Sequence, residues 1–175
     1  LQSPYFTSDY YSGEPYSTEV FGASSEIVIQ FEYALSFYEN ISNIHFERVI
    51  EDGSQIGDIR FAFSDSVEGS WGWAYFPDNT PEAGDIWVAP EYFEDSWEPG
   101  NYNFEATLHE IGHALGLDHS FEGDNVLNAV RDNNVYTLMS YTEFKKNIYP
   151  VWELVDGEYD QTNYWVSPST NSQTG

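Results

Sequence analysis

Three of the four histidines in the chain, His109, His113 and His119, lie in one short segment, and Glu110 follows the first of them. On an α-helix, residues four positions apart are separated by about 40° around the axis and about 6 Å along it, so the imidazoles of His109 and His113 can reach one ion. Glu110 points about 60° beyond His113, near that ion but not obliged to bind it. This spacing predicts a metal site with a carboxylate placed to act as general base on a metal-bound water.

Gly116 allows this segment to supply a third ligand. A glycine accepts positive φ, so the chain can turn sharply and return His119 toward the histidine pair. Three neutral imidazoles leave the fourth position of a tetrahedral zinc ion open for water, as in catalytic sites. The chain contains no cysteine, which excludes thiolate ligands and a cysteine nucleophile. The alternatives are a structural ion in a catalytically silent domain and, for Glu110, an ordinary solvated helix position.

Met139, the single methionine of the chain, lies within Leu138-Met139-Ser140-Tyr141. Taken alone, it would be interpreted as a flexible side chain that fills a gap in the core. Downstream of the histidine pattern it matches a Met-turn, which forms a hydrophobic floor beneath a three-histidine zinc site.

Two helices and four strands are predicted to position these residues. Apolar side chains at helical spacing predict helices over residues 26–39 and 103–115, with the serines at 24 and 25 and Asn103 available as N-caps. Alternating or β-rich runs predict strands over residues 44–50, 58–63, 73–76 and 85–89.

The remaining segments carry weaker signals. Residues 1–22 are interpreted as an extended aromatic arm, and residues 167–175 as a linker-like tail. The chain after residue 120 is rich in loops, and residues 149–155 are a short candidate for a C-terminal helix. We therefore expect most of the regular structure before residue 120.

Charge and composition exclude several classes of partner. The 175 residues carry 30 acidic and 5 basic side chains, for a formal net charge of −25. Nucleic-acid binding needs clustered Lys and Arg, and anionic membrane surfaces are disfavoured for the same reason. No apolar run is long enough to insert into a membrane as a span. Hydrophobic residues make up 41% of the chain, so it can bury a core and fold as one domain.

The zinc pattern and the Met-turn together carry a family resemblance. HEIGHALGLDH followed by Leu138-Met139-Ser140-Tyr141 resembles the catalytic domain of metzincin metalloendopeptidases, and within that clan the serralysin group. Residues 43–49, 57–61 and 84–87 are similar to serralysin strands. The resemblance extends from about residue 24 to residue 141.

The resemblance implies an α/β (α+β) zincin-like fold, in which a twisted five-stranded mixed sheet accompanies two long helices and a zinc cleft separates two lobes. It implies one catalytic domain over residues 1–175. The upper lobe then covers about residues 1–116, the lower lobe about residues 117–165, and a tail about residues 166–175.

The resemblance also implies roles by position. His109, His113 and His119 become the zinc ligands, Glu110 becomes the general base and then the acid, and Tyr141 becomes the phenol that ligates zinc or stabilises the oxyanion. A core tyrosine with a satisfied hydroxyl is the alternative for Tyr141.

In this family the strand ahead of the zinc helix pairs antiparallel with the substrate backbone. That implies Trp73, Ala74 and Tyr75 as substrate-binding residues, with an interior strand as the alternative. The implied function is a secreted, extracellular, monomeric zinc endopeptidase acting on protein and peptide substrates. A proteinaceous inhibitor is a candidate partner.

Ser120 follows the third histidine where serralysins usually have proline, so a matrix metalloproteinase-like enzyme is an alternative. A catalytically silent module that keeps zinc for stability and binds a peptide or glycan is the alternative from another class. Structural calcium (Ca2+) is a further expectation from loop oxygens that ordinary turns also explain. These oxygens belong to Asp78-Asn79, Asp124-Asn125 and Asp132-Asn133-Asn134.

Overall fold

The computed structural model describes residues 20–51 and 55–143, together with the backbone of residues 148–155 and 158–166. The two α-helices are α1 (Ser25–Ile41) and α2 (Tyr102–Ala114). A 3-10 turn at Pro90–Tyr92 precedes α2. The strands are β1 (Val20–Phe21), β2 (Arg60–Ser64), β3 (Gly72–Ala74), β4 (Asp85–Val88), β5 (Ile148–Val155) and β6 (Glu158–Val166). Both predicted helices and three of the four predicted strands are confirmed, with ends shifted by one or two residues.

Strands β1 to β4 form one mixed sheet in the order β1-β2-β4-β3. β2 and β4 run parallel in the centre, with Arg60 opposite Asp85 and Phe63 opposite Val88. β1 and β3 lie antiparallel at the two edges. The described residues therefore contribute four strands to this sheet, and not the five that the family resemblance implied.

The strand predicted over residues 44–50 is wrong, because that segment forms no ladder. On the side of β2 that faces away from β4, β1 pairs with Phe63 and Ser64. Ile44 and Ile50 are 40% and 85% exposed, and the Phe46 amide donates to Oε1 of Glu39 at 2.8 Å instead of to a strand. β-rich composition describes a favourable pleated surface, but it cannot say which segment reaches a given edge.

Both faces of the central strands are buried, which explains why their burial does not alternate. One face packs against α1 and α2, through a core that includes Ile27, Phe63, Val88 and Ile111. The other face is covered by a smaller cluster around Trp87. α2 is thereby fixed against the sheet on the side where it passes β3.

The N-terminus of α2 corrects a second prediction. Its N-cap is Asn101, while Asn103 lies buried inside the first turn. Oδ1 of Asn103 accepts a hydrogen bond from the Trp71 indole N–H at 2.9 Å, and its Nδ2 donates to the Ser96 carbonyl at 3.2 Å. The side chain is satisfied by distant partners, so it does not cap the helix. For α1, Ser24 caps as predicted and accepts from the Ile27 amide at 3.2 Å.

A single hydrogen bond ties α1 to the middle of α2. The Tyr38 hydroxyl donates to the Leu108 carbonyl at 2.6 Å, and burial raises the pKa of Tyr38 to about 12. The hydroxyl therefore remains a donor across the physiological pH range, and it holds α2 next to the histidine segment.

The C-terminal segment is a hairpin. β5 and β6 pair antiparallel, with a register shift between Val151 and Trp152. Residues 149–155 are thus a strand, and the candidate helix there is wrong. The arm predicted over residues 1–22 lies outside the described residues except for its end, which contributes β1, and the tail at residues 167–175 lies outside them altogether.

Candidate metal centre

α2 presents His109 and His113 on one face and fixes the orientation of each ring. Nδ1 of His109 lies 2.8 Å from the Leu138 carbonyl oxygen, and Nδ1 of His113 lies 2.7 Å from the Leu117 carbonyl oxygen. A carbonyl can only accept, so each Nδ1 carries the proton and each Nε2 keeps a lone pair. Burial lowers the pKa of both imidazoles, which favours the neutral form that binds metals.

Gly116 ends the helix as the sequence predicts, with φ of 94°. Its amide donates to the His113 carbonyl at 2.8 Å, and the Leu117 amide donates to the Gly112 carbonyl at 2.9 Å. These two bonds satisfy carbonyls at the helix end in the manner of a Schellman motif. The left-handed residue turns the chain away from the helix axis and brings His119 back to the histidine pair.

The Nε2 atoms of the three histidines converge on one point. Nε2 of His119 lies 3.1 Å from that of His113 and 3.3 Å from that of His109. With Zn–N bonds of about 2.0–2.1 Å, a tetrahedral zinc ion separates its nitrogen ligands by about 3.3 Å. Three unprotonated nitrogens so close together repel one another, and a cation between them relieves that repulsion. The donor set therefore fits one zinc ion and leaves a coordination position open.

Glu122 fixes the third ring, and the sequence analysis missed it. Its Oε2 lies 3.0 Å from Nδ1 of His119. The carboxylate accepts from Nδ1–H, so Nε2 of His119 is left free to face the metal position, as second-sphere carboxylates do in zinc sites. The available signal was a carboxylate three residues after the third histidine. With 30 acidic residues in the chain, that signal does not stand out.

Glu110 is buried and lines the same cleft as His113 and His119. The Ala74 backbone amide hydrogen-bonds its carboxylate, while Oε2 has no hydrogen-bond partner among the described residues. Burial raises the pKa of Glu110 to about 7. A cation held by the adjacent histidines would oppose this shift and favour the carboxylate form.

The segment that carries Met139 and Tyr141 contacts the candidate metal centre at two places. Met139 is buried, and a Cβ added at Gly112 would lie 2.8 Å from its Sδ, so the sulfur packs directly against α2. The Tyr141 hydroxyl lies 2.6 Å from Nε2 of His119. Tyr141 is 68% exposed, so it is not a core tyrosine.

A cleft of about 240 Å³ opens onto the centre. Trp73 and Ala74 line it, but Tyr75 does not. Tyr75, like Trp73, packs against the core cluster on the other face of the sheet, and its backbone amide donates to the Asp85 carbonyl. Phe76 lines the cleft instead, with its ring centroid 5.4 Å from that of His113.

Phe121 is a second residue that no sequence motif signalled. Its ring stacks on the His119 imidazole, with centroids 5.1 Å apart and an interplanar angle of 8°. It also lies 5.3 Å from the ring of Tyr141. Phe121 therefore supports the one metal-binding histidine that is not on α2.

The family model described as Matrixin matches residues 10–143, which is most of the chain. The chain belongs to the matrixin family. Matrixins are zinc metalloendopeptidases, so the metzincin resemblance and the enzyme class that it implied are confirmed. The family also implies catalytic zinc, for which His109, His113 and His119 provide the fitting donor set in this matrixin domain.

Two serralysins are similar to this matrixin domain. The serralysin of Photorhabdus laumondii subsp. laumondii is 27% identical, over 62% of this chain and 25% of the relative. The serralysin of Photorhabdus sp. (strain Az29) is 28% identical over the same shares. The chain thus spans about a quarter of the length of these curated relatives.

Two other expectations concern membranes and calcium. Within the described part of the matrixin domain, no helix combines the length and the apolar character that crossing a bilayer requires. Asp118, His119 and Glu122 form a second cluster of metal-binding groups, but it shares His119 with the first. It is therefore not a separate site, and structural calcium stays a prediction.

Proposed function

We propose that this matrixin domain is secreted and hydrolyses internal peptide bonds of proteins. The observation that carries the proposal is the convergence of three histidine Nε2 atoms beside a cleft that the buried carboxylate of Glu110 lines together with His113 and His119. Peptide hydrolysis needs an open metal position, a base and room for a substrate, and the cleft supports each of these requirements.

His109, His113 and His119 would hold a zinc ion, which would supply Lewis-acid chemistry by lowering the pKa of a water and polarising the scissile carbonyl. Glu110 accepts a proton from the attacking water and then delivers it to the leaving amine. The partnerless Oε2 of Glu110 supports this role, since it can receive the proton while the Ala74 amide holds the carboxylate in place.

Tyr141 donates a hydrogen bond to the oxyanion that develops on the substrate carbonyl. Its hydroxyl, 2.6 Å from Nε2 of His119, lies within reach of the open metal position. Burial, with Glu110 and Glu122 nearby, raises the pKa of Tyr141. The phenol therefore keeps its proton near neutral pH and can act as a donor. Ligation of the metal by the phenolate is the alternative role.

The substrate binds in extended form along β3. β3 is the last strand of the described sheet and pairs with β4 on one side only, which supports antiparallel addition of a peptide on the other side. Trp73 and Ala74 line the cleft there. Main-chain pairing tolerates many side chains, as an endopeptidase requires. In this proposal the upper lobe, about residues 1–116, and the lower lobe, about residues 117–165, form the two walls of the cleft.

The test replaces Glu110 while it preserves the metal ligands. Glu110→Gln should keep one equivalent of zinc by elemental analysis but lose casein cleavage by about 10²–10⁴-fold, the usual contribution of a general base. Glu105→Gln is the matched control, because it removes the same charge from an exposed position on the same helix. Phenanthroline should abolish cleavage by the wild-type chain, and added zinc should restore it.

The outcomes separate the alternatives. Wild-type protein that holds zinc and cleaves neither casein nor a peptide library would support the silent binding module. Undiminished turnover in Glu110→Gln would remove the general-base role alone. Secretion, the monomeric state and a proteinaceous inhibitor stay predictions from the sequence.

A further inference from the structure

The carboxylate of Asp132 links two loop segments, one next to His119 and the other next to Tyr141. Its Oδ1 accepts a hydrogen bond from Ser120 Oγ at 2.7 Å and another from Ser140 Oγ at 2.7 Å. Ser120 directly follows the ligand His119, and Ser140 directly follows Met139 and precedes Tyr141. One oxygen atom therefore links the neighbours of two groups that meet at the centre.

The two segments that Asp132 joins lie side by side. The Ser120 amide donates to the Met139 carbonyl at 3.1 Å, and Ser120 Oγ lies 3.2 Å from the same carbonyl. Both serines are buried, at 8% and 7% exposure. A buried hydroxyl that loses its acceptor costs free energy, so Ser140 depends on Asp132, while Ser120 also has the Met139 carbonyl within reach.

Asp132 is itself held in place by local bonds. Its amide donates to the Asn128 carbonyl at 2.9 Å. The next residue, Asn133, is buried and donates from Nδ2 to the Val130 carbonyl at 2.8 Å. The two serine hydroxyls lower the pKa of Asp132, so the acceptor is a carboxylate at neutral pH, and charged acceptors form the stronger hydrogen bonds.

We propose that Asp132 is a positioning residue of the metal centre, which sets the distance between His119 and Tyr141 through Ser120 and Ser140. His119 and Tyr141 are both in loops, and their atoms approach to 2.6 Å. No helix or strand of the described residues fixes that distance, whereas His109 and His113 are fixed by α2. The role of Tyr141 in this proposal rests on the proposed function, but the placement of His119 does not.

The experiment compares three variants in the full chain. Asp132→Ala removes the shared acceptor. Asp132→Asn keeps an Oδ1 that both hydroxyls can still use, and Ser140→Ala removes one of the two donors. Asp65→Ala, in the exposed turn after β2, is the control for loss of a surface carboxylate.

Metal affinity is the first readout, measured by competition with a chelator, and it requires no turnover. We expect zinc binding to weaken roughly 10–100-fold in Asp132→Ala, as for other residues that orient metal ligands. Asp132→Asn should recover most of that loss, and Asp65→Ala should match the wild type. The visible absorption of cobalt-substituted protein should change in Asp132→Ala and stay at the wild-type form in Asp65→Ala, because it reports ligand geometry.

Coupling is the second readout. If Asp132 acts partly through Ser140, the double variant that combines Asp132→Ala with Ser140→Ala should bind zinc no more weakly than Asp132→Ala does. That result would be non-additive. Wild-type affinity and an unchanged cobalt spectrum in Asp132→Ala would overturn the proposal.

If Asp132→Ala does not fold, the same two measurements are made on Asp132→Asn and Ser140→Ala. Wild-type values in Ser140→Ala would then overturn the proposal, and a weakened zinc affinity in that variant would support it. A wild-type chain that binds zinc but cleaves nothing would contradict the proposed function and leave these tests valid.

Discussion

Two kinds of acceptor set the tautomers of the three candidate metal ligands. His109 and His113 bond to backbone carbonyls, and His119 bonds to the Glu122 carboxylate. All three acceptors bind Nδ1, so all three Nε2 atoms are directed at the same point. These bonds explain how a chain without cysteine can direct three neutral nitrogen donors at one metal position.

The Tyr141→Phe substitution removes the hydroxyl group and keeps the aromatic ring. We expect kcat for peptide cleavage to fall roughly 10²-fold with little change in KM, because a donor to the transition-state oxyanion is lost. Zinc affinity should stay near the wild-type value, since the three histidines are unchanged.

Tyr136→Phe is the matched control, because it removes a hydroxyl from another exposed tyrosine of the same loop region. An equal loss in both variants would argue against a specific role for Tyr141. A large fall in zinc affinity in Tyr141→Phe would instead favour ligation by the phenolate.

At the scale of elements, α2 both carries residues of the candidate site and packs closely against two neighbouring segments. It carries His109, Glu110 and His113, and it also contacts α1 and the Met-turn. Gly112 makes this possible: a Cβ there would lie 2.8 Å from Met139 Sδ and 3.0 Å from the Tyr38 hydroxyl. Glycine at this helix-interior position allows the close approach of Met139 and Tyr38, although alanine has the higher helix propensity.

Gly112→Ala should therefore destabilise the fold. The added methyl forces the neighbouring atoms apart, at a cost of about 1–3 kcal/mol for overpacking, which equals or exceeds the gain of about 1 kcal/mol in helix propensity. Urea denaturation of the metal-free chain measures the difference.

In a Met139→Ala background, the same substitution should cost much less, because the nearest obstacle has been removed. An equal cost in both backgrounds would show that the Met139 contact is not the cause.

On the scale of the whole molecule, the net charge is −25, and Asp85 and Glu110 are the only buried acidic side chains among the described residues. Only Glu110 has a direct chemical role in the proposed mechanism, and Glu122 and Asp132 act through other groups. Self-repulsion among so many exposed carboxylates opposes compaction, and added salt screens it. We therefore predict that folding stability rises with ionic strength.

Thermal unfolding of the metal-free chain at neutral pH, from about 0.05 to about 1 M NaCl, measures this effect. Tm should rise with salt. Near pH 4, close to the isoelectric point of about 4.1, the rise should shrink because the net charge is small. A Tm that falls with salt at neutral pH would contradict the prediction.

The sequence alone determined the features that depend on local geometry. Helical spacing placed His109, Glu110 and His113 together, and a glycine with positive φ brought back His119, because both effects act within a few residues. The helices and the central strands followed from periodicity for the same reason.

The tertiary structure decided what depends on competition between distant segments. Residues 44–50 formed no strand despite their β-rich composition, Asn103 bonded to Trp71 instead of capping α2, and Phe76 lined the cleft where Tyr75 did not. Glu122, Phe121 and Asp132 acquired their roles from loops whose paths no local pattern fixes. A hydrogen bond between residues far apart in the chain depends on which surfaces the core brings together, and only the folded molecule determines that.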